Sequence, residues 1–349
     1  MVAKKTIWFI VNPISGISSK QAILRRINKL IDKKSFDIKI LMTEYAGHGA
    51  VLATMAAENG IDIVVAIGGD GTINEIARSL VNTDTIMGII PCGSGNGLAR
   101  HLQIPLDYTK AIHLINDLQH IKIDYGKINK KPFFCTCGMG FDASVSFKFL
   151  NSSKRGVLTY IDNALQALIN YKPETYIIED EEGKHRYKAF LITCANASQY
   201  GNNIYIAPQA SMSDGLMDIT IIEPFTVVDI PQIAYQLFSG KMSGSDKIKT
   251  FKAKKITIIR EKDGIIHCDG DPCADKKTLN VEIFPKALKI LINPDSQEGI
   301  MPLSQTIATA FNNFHQIEDY FSLYKKKTNK FSQNIKQLNK DILNKLHKM

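Results

Sequence analysis

The chain has 349 residues, 44% hydrophobic and 22% charged, which is the composition of an ordinary globular protein with room for two cored domains. No apolar run reaches the roughly 18 residues a membrane span needs, and the start, Met1-Val2-Ala3-Lys4-Lys5-Thr6, lacks a signal-peptide pattern, so a cytoplasmic location is expected. Lys and Arg total 43 against 34 Asp and Glu, a net charge of +9; this either solubilises the surface or draws it to an anionic membrane, and the lack of zinc-finger spacing or an RNP-type aromatic run argues against nucleic acid.

The first strand, Lys5 to Val11, ends in Asn12-Pro13-Ile14-Ser15-Gly16. The helix after it, Ser18 to Lys33, sets Ile23, Leu24, Ile27, Leu30 and Ile31 on one face. A second strand ends at Thr43, and a helix is expected over His48 to Asn59. The strand Ile61 to Ile67 then runs into Gly68-Gly69-Asp70-Gly71-Thr72 and the helix Thr72 to Leu80. Next, the strand Thr85 to Ile90 runs into Pro91-Cys92-Gly93-Ser94-Gly95-Asn96-Gly97 and the helix Leu98 to Leu102. A glycine-rich turn between strand and helix lets backbone N–H groups and a helix N-terminus approach phosphate oxygens. Three such turns at the carboxyl ends of neighbouring parallel strands mark the place where ligands sit in open α/β sheets. Asp70 cannot ligate phosphate itself, because like charges repel; it holds Mg²⁺ or takes a proton. Asp107 is a fit N-cap for the helix Tyr108 to Leu118. The pattern predicts a parallel sheet covered by helices on both faces.

After Ile121 the rhythm changes. Strands are expected over Ile121 to Lys130 and Pro132 to Gly138, then a helical stretch from Asp142 to Asn170. Further strands are Tyr176 to Glu179, His185 to Cys194, Leu216 to Ile222, Lys255 to Arg260, Gly264 to Asp269, Thr278 to Phe284 and Leu288 to Ile292, with Lys262-Asp263-Gly264 turning one into the next. This predicts an antiparallel β-sandwich. The expected domains are 1–124 (α/β), 125–296 (sandwich) and a helical C-terminal extension, 297–349. The six cysteines form no C-x-x-C and read as small buried free thiols.

Asn12-Pro13-x-Ser15-Gly16, Gly69-Asp70-Gly71-Thr72 and Gly93-Ser94-Gly95-Asn96, in this order, resemble the diacylglycerol kinase and sphingosine kinase catalytic-domain superfamily, the bacterial lipid kinases above all. The likeness continues through Gly140-Phe141-Asp142-Ala143, Ala207-Pro208, Asp214-Gly215 and Asp269-Gly270-Asp271, and covers roughly residues 1 to 293. It implies an ATP-dependent, Mg²⁺-requiring kinase acting on a lipid hydroxyl. The three loops, including Asn74 and Glu75, would then bind the nucleotide, and Thr43 would face it.

Asp269 and Asp271, two carboxylates across a glycine, suit a base or a Mg²⁺ ligand. The family carries Glu where this chain has the shorter Asp271, so both stand as base candidates, with Asp70 as a third acidic member. The resemblance further implies a structural Mg²⁺ held by Asp214 and the carbonyls of Ser211 and Leu216, with Asp124 in a water and metal network near the site. Gly97 follows the sphingosine-kinase form, whereas Ser144 and Ser146 stand where those enzymes carry an acidic residue. Diacylglycerol is the favoured acceptor, and a sphingoid base stays open. The rivals are an NAD kinase, against which Asp269-Gly270-Asp271 argues, and a non-catalytic nucleotide- or lipid-binding regulator, which need not keep the three aspartates. In the extension, Phe331, Ile335, Leu338, Ile342 and Leu346 form one apolar face, with Lys336 and Lys340 on the opposite side. That face suits peripheral membrane contact, packing on the protein's own body, or a second subunit in a homodimer.

Overall fold

The computed structural model describes residues 4–16, 19–150, 171–226, 229–242 and 245–293; the expected helices over 151–170 and from 297 onward lie outside the described residues. Strands β1 (Lys5–Val11), β2 (Phe36–Met42), β3 (Ile63–Gly68) and β4 (Ile86–Pro91) pair in parallel in the order β2-β1-β3-β4. β3 and β4 are buried at every position, which is why they read as unbroken apolar runs. Helices α1 (Lys20–Leu30) and α5 (Tyr108–Asp117) share one core through Ile23, Ile27, Ile112 and Ile115. Helices α2 (His48–Glu58) and α3 (Asp70–Leu80) share another through Leu52, Ala56, Ile73 and Ile76. Asp107 caps α5, accepting the Lys110 N–H at 2.9 Å, as its position in the sequence predicts. The short α4 (Gly97–His101) follows the third glycine loop.

The second half is antiparallel, but its chain changes sheet more often than the strand pattern shows. One sheet of ten strands extends the parallel set through β16 (Thr278–Leu291), β13 (Lys255–Arg260), β8 (Glu174–Asp180) and β9 (Gly183–Ala189), with β5 (His120–Ile128) and β6 (Lys131–Phe133) attached beside β16. The other runs β12 (Ile248–Ala253), β11 (Met217–Ile222), β10 (Leu191–Ala195), β7 (Thr136–Gly140), β14 (Gly264–Cys268), β15 (Asp271–Asp275). Between them lies one apolar core that joins Ile128, Tyr176, Ile258 and Val281 to Met139, Ile192, Ile219 and Ile266. Helix α6 (Phe141–Leu150) follows β7, and α7 (Ile230–Ser239) follows β11.

Four expectations need correction. The run Pro132 to Gly138 is two strands in different sheets, β6 and β7, broken at Phe134-Cys135. The run His185 to Cys194 is two strands in different sheets, broken at Phe190. Lys262-Asp263-Gly264 does not close a hairpin: β13 pairs with β8 and β16, while β14 pairs with β7 and β15. The two final strands are one, β16, bulged between Phe284 and Leu288 with Lys286 at φ 52°. Because β16 also meets β4 at Ile290↔Met87, the ten-stranded sheet runs across the boundary expected near Asp124.

Candidate active site

The three glycine loops interlock. Asn12 Nδ2 donates to Thr72 Oγ1 at 2.9 Å, tying the first loop to the second. Gly16, at φ 67°, lies against the Cys92 carbonyl so closely that any side chain would collide with it. A Cβ on Gly93 would come within 2.8 Å of the Gly69 Cα, so the second and third loops touch backbone to backbone. Asp70 completes the joint. Its Oδ2 accepts the Asn96 N–H at 2.9 Å and its Oδ1 the Gly97 N–H at 2.8 Å, across the start of α4. A carboxylate also suits the first turn of its own helix, α3.

Several residues expected to face a nucleotide have structural duties here. Asn96, at φ 52°, closes its own loop: its Oδ1 accepts the Gly93 N–H at 2.9 Å and its Nδ2 donates to the Gly93 carbonyl at 2.7 Å. Glu75 accepts the Gly47 N–H at 3.0 Å, at the N-terminus of α2. Asn74 and Thr72 are buried, and Ser15 Oγ donates to the Asn12 carbonyl at 3.0 Å. The Thr43 N–H continues the parallel ladder to Val11 at 2.9 Å. Pro13, Gly71 and Ser94 remain exposed, with Gly95 partly so.

Asp269 and Gly270, at φ 51° and 87°, form the two-residue turn between β14 and β15. Asp269 is fixed. Its Oδ2 accepts the Phe134 N–H at 2.8 Å, and its Oδ1 those of Cys135 and Thr136 at 2.7 and 2.9 Å. Burial pushes its carboxyl up, against those three donors and the charge of Arg78. Asp271, which opens β15, is exposed and has no hydrogen-bond partner among the described residues. Its carboxyl is also raised, first by the surrounding protein and then by the charge of Asp70, with Arg78 and His267 opposing. Arg78, an exposed cation on α3 that motif reading passed over, thus acts on both Asp269 and Asp271, and Asp271 also feels the charge of Asp70.

Two more residues, Arg100 and the motif residue Asp142, carry contacts to which the motifs assign no role. Arg100 Nε donates to the Gly95 carbonyl at 2.9 Å and its guanidinium to Asn203 Oδ1 at 3.2 Å, bracing the third loop against the sandwich half. Asp142 Oδ2 accepts from His267 Nε2, Thr193 Oγ1 and Tyr200 Oη at 3.0, 3.1 and 3.2 Å. Gly138 leaves room for that cluster, since a Cβ there would meet Asp142 at 2.4 Å. Only long-range register places these residues side by side, so sequence spacing carries no signal for them.

Of the expected structural metal ligands, Asp124 and Asp214 lie at one turn, Ser213 to Leu216. Asp124 is fully buried; its Oδ2 accepts the Gly215 N–H and its Oδ1 the Lys286 N–H, both at 2.7 Å. Its own N–H donates to the Met212 carbonyl at 2.7 Å. Burial pushes its carboxyl up, and the charge of Asp214 adds to the shift. Asp214, however, is already neutralised. Its Oδ1 accepts the Leu216 N–H at 3.0 Å, and the Lys252 ammonium lies 2.8 Å from its Oδ2 and 3.4 Å from Asp218 Oδ2. A divalent cation would have to displace a resident positive charge, so these residues do not fit a structural Mg²⁺ in this arrangement.

Comparison with known proteins agrees with this geometry. Residues 6–128 match the diacylglycerol kinase catalytic domain, and residues 135–292 match the YegS C-terminal NAD kinase β-sandwich-like domain. The chain belongs to this family of lipid kinases and is an enzyme of that class. It is 26% identical over 287 residues to a Klebsiella pneumoniae protein named "Probable lipid kinase YegS-like", covering 81% of this chain and 95% of that one. It is 25% identical over 272 residues to a "Diacylglycerol kinase" of Staphylococcus saprophyticus, covering 77% and 89%. A crystal structure titled as a diacylglycerol kinase of Bacillus anthracis shares the fold, with a TM-score of 0.67 at 21% identity, over 83% of this chain and 97% of that one. Among the described residues no helix is long and apolar enough to cross a membrane.

Proposed function

We propose that this kinase moves the γ-phosphoryl group of ATP to the hydroxyl of a membrane lipid, with diacylglycerol as acceptor. One observation carries the reading: of three clustered carboxylates, two are held by backbone N–H groups and the third, Asp271, is not. Phosphoryl transfer asks the protein for position, charge neutralisation and a group to receive the acceptor's proton. The interlocked loops give position. Arg78 offers positive charge beside the acids. Asp271, with its raised carboxyl, is the base; Asp269 holds the turn on which it stands.

Mg²⁺ accompanying the nucleotide suits Asp70, whose oxygens each accept one N–H and keep a lone pair for a hard cation. It would supply charge neutralisation on the phosphates. Because the acceptor lies in a bilayer, the enzyme works at a membrane surface, to which a net charge of +9 attracts it. The test is transfer from labelled ATP to a panel of lipid alcohols in mixed micelles, with Asp271→Asn as control. Phosphorylation of diacylglycerol by the parent and not by the variant supports the reading. ATP turnover indifferent to every lipid overturns it.

A further inference from the structure

The turn that carries Asp269 and Asp271 is bracketed by two cysteines, in the run Cys268-Asp269-Gly270-Asp271-Pro272-Cys273. Both are free thiols. Cys268 closes the hairpin opposite Asp271, and Cys273 lies opposite Ile266, so the cysteines are diagonal neighbours on one face. Their thiols are close enough to shift one another's ionisation in opposite directions. Access and environment separate them. Cys268 is 4% exposed and continues a buried row with Cys137 and Cys194. Cys273 is partly exposed and lies beside the Lys131 ammonium. Cys268 and Lys131 bring the Cys273 thiol down to about 6, against its partial burial.

We propose that Cys268 and Cys273 are a reversible dithiol–disulfide pair, addressed by low-molecular-weight disulfides, that shifts the turn bearing Asp271. The Cys273 thiolate attacks one sulfur of the small disulfide; that S–S bond breaks and the reagent's other half leaves as a thiolate. The Cys268 thiol then loses its proton to solvent and attacks the Cys273 sulfur, forming the Cys268–Cys273 bond and releasing the second half. Two protein thiols are oxidised and one small disulfide is reduced to two thiols. A disulfide needs its Cβ atoms about 3.8 Å apart, whereas diagonal strand neighbours have Cα atoms about 7–8 Å apart. Closing the bond therefore pulls β15 along β14 within a turn whose other end, Asp269, is fixed by three N–H groups. The residue free to move is Asp271.

The effect on transfer rests on the function proposed above, but the bond itself does not, so two readouts are used. The full-length protein is treated with oxidised glutathione and its disulfides mapped by peptide mass spectrometry. A Cys268–Cys273 link is expected in the parent, a glutathione adduct on Cys273 in Cys268→Ala, and neither in Cys273→Ser. Kinase turnover is expected to fall about 10–100-fold on oxidation of the parent and to recover with dithiothreitol, a ångström-scale displacement of a reacting group being enough. Cys273→Ser should keep its rate through the same treatment. An unlinked pair, or a linked pair with unchanged turnover, overturns the proposal. A reduced parent inactive on every acceptor, with the link still mapped, counts against the proposed function and not against the pair.

Discussion

Replacing Asp70 with Asn separates holding the loops from doing chemistry. The wild-type carboxylate accepts two backbone N–H groups of the third loop, at 2.9 and 2.8 Å. Hydrogen bonds to a charged acceptor contribute about 1.5–3 kcal/mol each, and a neutral one about 1 kcal/mol. The amide of Asn offers one oxygen, so one bond weakens; its NH₂ faces the other N–H, donor against donor, and that bond is lost. The acid in the first turn of α3, worth about 0.3–1 kcal/mol, goes as well. The sum is about 2–6 kcal/mol, or about 3–10 °C in melting temperature for a fold of roughly 290 residues. Thermal melting by circular dichroism reads the structural part. Turnover with lipid micelles, well below both melting points, reads the catalytic part, expected to fall at least about 100-fold. A variant that melts within about 1 °C of the parent refutes the loop-holding role, and a folded variant with normal turnover refutes its place in the site.

The remaining predictions use the same two assays. Asp271→Asn should lose at least about 100-fold in kcat and melt like the parent, because the carboxylate has no hydrogen-bond partner among the described residues. As the base must be ionised and its carboxyl is raised, the parent's kcat should fall with falling pH above the usual carboxylate value of about 3.9; an acid limb at or below that value contradicts the assignment. His101 is fully buried, its Nδ1 accepting from the Ser198 N–H at 3.1 Å, and burial lowers it from 6.5 to about 4. A depressed histidine stabilises the fold above its unfolded value and loses that contribution as pH falls toward the folded one. His101→Gln should therefore lose about 2–3 kcal/mol less than the parent between neutral pH and about 4.5, measured by urea denaturation; equal losses contradict this. Without nucleotide, the parent's melting temperature should ignore both Mg²⁺ and chelator, whereas Lys252→Met, which bares Asp214 and Asp218, should respond to Mg²⁺; a Mg²⁺-dependent melt in the parent shows that Lys252 is not the resident cation.

What the sequence made legible follows from how local each constraint is. The glycine loops announce themselves because Gly16 and Gly93 sit where backbone meets backbone, too close for a side chain. The parallel strands are legible because burial on both faces leaves an unbroken apolar run. Asp269-Gly270 is itself a strong hairpin signal, yet β15 after it, reading DPCAD, has neither apolar alternation nor β-branched residues. The crossing from β13 to β14 was hidden for another reason. Arg260, 4% exposed, donates to the carbonyls of Gly264, Ile265, Asp275 and Lys276, pinning the crossover from one sheet to the other. A three-residue polar turn looks the same whether the strands around it pair or part, and only the distant partners of each strand decide.

The acidic residues carry that point into function. Asp70, Asp269 and Asp271 are chemically identical, and the sequence ranks them only by motif. Position in the fold assigns their tasks. Asp70 faces the N–H groups that open α4 and joins two loops. Asp269 faces three N–H groups where the chain leaves β6 for β7, and so anchors the β14–β15 turn at the point where the two sheets exchange strands. Asp271, two residues further on, has left that cage and stands in the open beside Arg78 and Asp70. A carboxylate spent on backbone donors is a poor proton acceptor, and one with none is available. The tethered aspartate fixes the place of the free one, because without Asp269 the hairpin tip would lose its hold on the chain between β6 and β7.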